Sequence, residues 1–378
     1  MRKLVACASA LLFTFGMTLP AMADTSATVV NVAQTQPQFT FQQAVEQAKK
    51  SSKPLRIAQL DLERSFEVRN YLGDSVMHTY QTTSQIGYAR DQQYYGAFMG
   101  LNQADTAWNM NKRNLEAQED AVVMQTYQLY NGLLQAQDKV NNCKIRLTNA
   151  QIQYNNAFAA SQVGTIDNPT FVQAKAARAA AEASLASAES ALADAYQKFN
   201  NLMGLRAEAR PVLVDRPAFE KMKVDDVDFA ITKAVNESPT VWLAQKKVDL
   251  AEAAYTAYAY SLSGRTEPGK AKSIDIDKAA VAAMNTKEQM DKLVRTLYHG
   301  VKQLEEQYDS AKEQVAVAEE NLRVAKLKFD IGIATKADVA SAESKLVDAK
   351  ESLLDIVIKH QNLVYAFSKP WAYAAVSS

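Results

Sequence analysis

The side chains to weigh first for catalysis or metal binding are three histidines, the lone cysteine beyond the N-terminal apolar stretch, and several paired acids. His78, His299 and His360 are far apart, and no pair has the close spacing of metal ligands. His360 falls in a row of apolar residues. It reads as a polar core residue that sets helix register, with a pH sensor or ligand as the alternative. Cys143 lies in a similar row and reads as a small packing residue, with a reactive thiol as the alternative. Glu305-Glu306 and Glu319-Glu320 are neighbours on a helix, so their side chains diverge, and they are expected on solvated faces. Asp275 and Asp277 begin like a calcium loop but lack its glycine and final glutamate. No phosphate loop, nucleophile elbow or dinucleotide fingerprint is present. The reading is of a protein that is not an enzyme and takes no metal and no cofactor.

The elements that carry these residues are long helices. Apolar residues fall at Met290, Val294, Leu297, Val301, Leu304, Tyr308, Ala311, Val315, Ala318, Leu322, Ala325 and Phe329, in alternating steps of four and three. The same alternation runs through Val339, Ala342, Leu346, Ala349, Leu353, Ile356, His360, Leu363 and Phe367. A sustained period of about 3.5 residues specifies a left-handed coiled coil. Leu129, Leu133, Ala136, Val140, Cys143, Leu147, Ala150, Tyr154 and Ala157 form a matching row in the first half, answered by Phe171, Ala174, Arg178, Ala181, Leu185, Ala188, Leu192, Ala195, Phe199 and Leu202. Arg178 is the odd member: it either snorkels outward or meets an acid on a neighbouring helix.

The chain also repeats itself. Phe41 to Ala48, Ser52-Lys53-Pro54 and Ile57-Ala58-Gln59 correspond to Phe229 to Ala234, Ser238-Pro239 and Leu243-Ala244-Gln245. Gly164 and Gly332 interrupt the heptads at equivalent places and predict two hairpin tips, with 18 extra residues before the first. Thr335 and Asp338 are spaced as a capping box, and Asp167 or Asn168 can cap the other return helix ahead of Pro169. The 55 residues from 276 to 330 would reach about 80 Å as one helix. The fold class is all-α: two tandem repeats of long antiparallel coiled-coil hairpins.

At the N-terminus, Arg2 and Lys3 precede an apolar run ending in Ala21-Met22-Ala23, the pattern of a cleaved export signal. Leu4-Val5-Ala6-Cys7 is not a lipoprotein box, since no hydrophobic region precedes Cys7. Removing the signal leaves 40 basic against 42 acidic residues, with no basic footprint for nucleic acid. With Cys143 alone, there is no disulfide framework. The expected organisation is a signal peptide (1–23), a flexible segment (24–38), a first repeat (39–210), a linker (211–224), a second repeat (225–371) and a C-terminal tail (372–378).

Together, the opening helix around Ala44-Val45-Glu46-Gln47-Ala48 and the tips Phe329-Asp330-Ile331-Gly332-Ile333-Ala334-Thr335 and Val163-Gly164-Thr165 resemble the TolC-type outer-membrane efflux family over roughly residues 39–371. The resemblance implies a homotrimeric α-helical tube, an α-barrel whose tips dock on a periplasmic adaptor serving an inner-membrane transporter. It places Val163, Gly164, Thr165, Ile331, Gly332 and Thr335 at the docking tips. It puts Asp338 at an acidic entrance gate, with Ser341 where a second acid often stands. It also implies export to the outer membrane or periplasm of a two-membrane bacterium.

In that family each repeat breaks for a β-hairpin, and three chains close a membrane barrel. A spanning strand takes about 9–11 residues. The stretch from Ser263 to Ser273 is too short and polar for two of them. The stretch from Gly73 to Gly100 allows at most a vestigial hairpin; a loop or helix with aromatic packing is expected instead. Two functions follow: an export conduit, or a barrel-less coiled-coil structural or adaptor protein that conducts nothing.

Overall fold

The computed structural model describes residues 37–82, 88–260 and 267–377. The expected signal peptide and all but the last two residues of the 24–38 segment lie outside the described residues. A short strand β1 (Gln38–Phe39) leads into α1 (Phe41–Ser51), α2 (Lys53–Thr82), α3 (Tyr88–Gln162) and α4 (Asn168–Met203). After β2 (Val212–Leu213) a strap reaches α5 (Val227–Glu237), followed by α6 (Pro239–Tyr260), α7 (Gly269–Asp330), α8 (Lys336–Ser368) and α9 (Pro370–Ser377). β1 and β2 pair in parallel and make the only sheet among the described residues.

The duplication is visible in the helix starts and stops. α1 is capped by Thr40 in a full capping box with Gln43, and α5 by Asp226, whose carboxylate accepts from the Phe229 amide at 3.0 Å. Both short helices end at a serine, Ser52 and Ser238, before a proline-bearing first turn. α3 spans 75 residues, about 110 Å, and α7 62 residues, about 93 Å.

The first half of α3 packs on α2 and the second half on α4, while α7 packs first on α6 and then on α8. α3 also touches α8 and α6. Two four-helix layers result, α2–α3–α6–α7 above and α4–α3–α8–α7 below. The fully buried positions follow the heptads: Leu133, Val140, Cys143 and Ala188 in one hairpin, and Met290, Val294, Leu297, Val301, Ala311 and Ala318 in the other.

Where the two layers meet, Phe39, Phe41, Tyr130 and Phe199 pack ring against ring, with centroids 5.6–6.3 Å apart. The Tyr130 hydroxyl is within hydrogen-bonding reach of the Phe39 carbonyl at 3.2 Å and accepts from the Asp215 amide at 3.0 Å. This ties the start of the first repeat to the chain leaving it. α9 carries the chain through the expected 371/372 division, with Trp371 and Ala372 buried and the indole N–H bonded to Asp120 at 2.9 Å.

The extra length of the first repeat lies in its helices, the connection between α2 and α3 being three residues shorter than that between α6 and α7. From Ala58 to Thr82 α2 has 25 residues, where α6 has 17 from Ala244 to Tyr260. α3 has 75 residues from Tyr88 to Gln162, where α7 has 62 from Gly269 to Asp330. Among the described residues no strand lies between α2 and α3 or between α6 and α7, and residues 83–87 number fewer than one membrane-spanning strand takes. The aromatic contact between these helices lies outside the 73–100 stretch: Phe66 lies 5.9 Å from Trp108, and Arg69 sits over the same indole at 5.2 Å. No described helix is long and apolar enough to cross a membrane.

Leu133 is fully buried, whereas Leu327 is half exposed on α7. Leu133→Ala should cost about 2–5 kcal/mol in denaturant unfolding, and Leu327→Ala well under 1 kcal/mol.

Candidate docking surface at the hairpin tips

Both tips are built from the same backbone device. Gly164 and Gly332 adopt left-handed conformations, with φ of 73° and 77°. This lets the chain reverse while the last helical carbonyls stay bonded. Thr165 N–H donates to Ala160 O at 2.9 Å in the first tip, and Ile333 N–H to Lys328 O at 2.8 Å in the second. Asp167 caps α4 through the Thr170 amide at 3.2 Å, with Pro169 in the first turn. At the second tip Thr335 and Asp338 form the expected box. The Asp338 carboxylate accepts from Thr335 N–H and Oγ1–H, both at 2.7 Å, and Thr335 Oγ1 accepts from the Asp338 amide at 3.2 Å. The Thr335 amide, then its hydroxyl, hold the Asp338 carboxyl below the usual aspartate range.

Against these satisfied backbones the side chains are open. Val163 is 74% exposed, Ile331 69% and Ile333 74%, so each hairpin ends in bare aliphatic surface. Tyr154, Phe158 and Phe171 brace the first tip, their ring centroids 5.8–6.4 Å apart. Arg178 lies over Tyr154 at 4.6 Å and within 3.2 Å of Glu182 on its own helix. Arg178 therefore meets an acid, but not one on a neighbouring helix. Of the expected gate pair, Asp338 is exposed and engaged in capping, and Ser341 is half buried one turn along α8.

The tips stand at different heights. Asn149 on α3 is level with Ala340 and Ser344 on α8, donating to the Ala340 carbonyl at 2.8 Å and bonding Ser344 Oγ at 2.7 Å. From that level Gly164 is 15 residues away, and Gly332 about 10. The first tip thus projects about 8 Å beyond the second. The same five-residue difference appears in how far the first repeat's two long helices exceed their counterparts.

The seam that joins the hairpins is polar, and heptad reading missed it. Asn131 donates to Gln361 at 3.1 Å and Gln135 to Asp355 at 2.6 Å. Lys139 pairs with Glu351, and Arg146 reaches Glu351 at 2.8 Å and Asp348 at 3.1 Å. Burial raises the Glu351 carboxyl, but Lys139 and Arg146 outweigh it and hold the group below its ordinary value. A signal was present in the sequence: Asn131, Gln135, Asn142 and Asn149 recur on α3 at near-helical spacing.

The residues weighed for chemistry do not converge. His78 and His299 are exposed on α2 and α7, and Cys143 is buried in the α3–α4 seam. Among the described residues no three of His, Cys, Asp and Glu gather as a metal site. Glu319 and Glu320 are exposed, as expected. Glu305 is not: it is 5% exposed, because the heptad that buries Val301 steps to Glu305 rather than Leu304 where the strap crosses α7. His360 is buried beside it, as its heptad position predicts.

No protein-family model and no curated protein matches the sequence. Solved structures do. The outer-membrane channel OprN is similar at 14% identity and a TM-score of 0.66, over 88% of this chain and 90% of that one. The Campylobacter jejuni CmeC outer membrane channel is similar at 14% identity and a TM-score of 0.63, over 88% and 85%. The Vibrio cholerae outer membrane protein VceC gives 14% identity and a TM-score of 0.55, over 88% and 95%. The double-hairpin fold is therefore that of subunits of the TolC-like outer-membrane channels.

Asp338→Ala removes two acceptor contacts from the start of α8. It should cost about 1 kcal/mol of stability and speed amide exchange across residues 335–339, read by hydrogen–deuterium exchange.

Proposed function

We propose that this chain is the tube-forming component of an export apparatus. Three copies associate side by side into an α-helical conduit, whose tips at Val163, Gly164, Thr165, Ile331, Gly332 and Thr335 dock on a periplasmic adaptor and, through it, an inner-membrane transporter. The observation that carries this reading is the double hairpin itself, with two rigid, apolar-ended tips and the fold of known outer-membrane channels. The mature protein is exported to the periplasmic side of the outer membrane. Asp338 contributes negative charge at the entrance, within the limits its capping bonds impose.

The layers favour lateral assembly. Among the described residues of the lower layer, α3 and α8 are covered on both sides, while α4 and α7 each lack a helix packed along one flank. On α4 the positions Val172, Ala176, Ala179, Ala183, Ala186, Ser190 and Ala193 are all exposed and repeat in steps of four and three. Small side chains at that period let a second helix approach closely. Helix pairings put Ala176 at the level of Leu327, itself 50% exposed on the opposite edge. Ring closure would bring the α4 edge of one copy to the α7 edge of the next.

A second reading has its own support. With helix in place of any strand pair, the chain supplies no barrel of its own from the described residues, which favours a structural or adaptor-like role that conducts nothing. Oxidative cross-linking separates the two. In a Cys143→Ser background, Ala176→Cys with Leu327→Cys should give a ladder ending at three copies in membranes or detergent. A monomer or dimer under the same conditions would leave the non-conducting reading.

Tip docking has a separate test. Gly332→Pro cannot keep a positive φ and should weaken adaptor binding in affinity capture far more than Glu320→Ala. Equal binding by both variants would remove the tips from the interface.

A further inference from the structure

The strap between the repeats is fastened by a buried group of ionisable side chains that plays no part in the tips or the edges. Glu305 on α7 accepts from the Met222 amide at 2.7 Å and from Lys302 at 2.7 Å, and Lys302 also donates to the Met222 carbonyl at 3.2 Å. Phe219 stacks on Tyr308 with centroids 3.6 Å apart and planes 7° apart, and its other neighbour is the His360 ring at 4.6 Å. His360 is 2% exposed, with Nε2 3.6 Å from the Glu305 carboxylate and no hydrogen-bond partner. Flanking pairs extend the attachment: Lys221 to Asp309 at 2.8 Å, and Arg216 to Asp138 on α3 at 3.2 Å. The strap thus crosses from α3 to α7 over α8, bridging the two hairpins.

We propose that this clasp is a pH-sensitive latch: acidification below the ordinary imidazole range releases residues 217–224 from α7 and α8 and loosens one hairpin against the other. The charged groups that act on His360 are Glu305 and Lys302 from α7, while Lys221 of the strap, with Asp309 and Glu306 of α7, and the Tyr308 ring behind Phe219 complete the clasp. The nearest, Glu305, is shared with Lys302 and the Met222 amide.

In the closed clasp, burial pushes His360 down, and Glu305 only partly offsets it. In the opened strap His360 is solvated and takes a proton at its ordinary value, near 6.5. Between that pH and its lower clasped value the open form binds more protons than the closed one, so closure weakens as pH falls. Glu305 adds to the effect at lower pH. Burial raises its carboxyl, but Lys302 and the Met222 amide hold it below the ordinary glutamate value, so its contribution is lost as pH falls through that depressed value. Both groups act in the same direction.

Hydrogen–deuterium exchange on the full chain tests this, with rates corrected for the intrinsic pH dependence of exchange. Protection of peptides covering residues 217–226 should fall between pH 7.5 and 5.5, by up to about tenfold from the single histidine. Peptides from α4 should not change. His360→Phe keeps an aromatic ring against Phe219 but cannot titrate; it should retain protection at pH 7.5 and lose most of the fall. If His360→Phe disturbs folding by circular dichroism, His360→Gln serves the same purpose. Unchanged protection in the wild type, or an undiminished fall in a folded His360 variant, would overturn the latch.

Discussion

Each hairpin depends on covering one continuous row of side chains along more than sixty residues of helix. A row with a period of about 3.5 residues drifts slowly around a straight helix and stays covered only if two helices wind about each other. Met290, Val294, Leu297 and Val301 on α7, and Leu133, Val140 and Cys143 on α3, are where that cover is complete. Further down the seams the contacts pass to alanines such as Ala188, Ala311 and Ala318, which bury little area but permit close approach. Length here replaces depth of core.

A different chemistry joins the hairpins to one another. The α3–α8 seam is held by the buried amides of Asn131 and Asn149 and by ion pairs that stay about a third in contact with water, where each pair contributes modestly. Its value is in fixing register, since Asn149 bonds only at the level of Ala340 and Ser344, and the Arg146–Glu351 pair allows no sliding by a turn. The aromatic girdle of Phe39, Phe41, Tyr130 and Phe199, together with the strap, supplies the transverse ties that two parallel rods would otherwise lack.

Much of this was legible from the residues. The apolar steps marked the long helices, and Gly164 and Gly332 marked the tips because only a left-handed residue lets a helix reverse so abruptly. Thr335 with Asp338 read as a helix start, and His360 as a buried polar residue. What escaped was whatever depends on a third element arriving. Glu305 looks like a solvated acid until the strap delivers a backbone amide to it. The α3–α8 seam is invisible to a search for oily periodicity because its members are Asn, Gln, Lys and Glu. For the extra residues of the first repeat the sequence argued against a full strand pair but left loop and helix undivided, since tyrosine-rich sequence has no strong preference of its own.

The unequal reach of the two tips limits what can meet them. A flat surface approaching along the helix axes would touch Val163 while Ile331 and Ile333 still faced water, and would leave half of the bare aliphatic surface unused. A partner that engages both ends of one copy must itself be stepped, with a ledge about one and a half helical turns short of its deepest groove. Such a staircase contact has one correct orientation, so the difference in height acts as a key that sets the rotation of whatever is seated there.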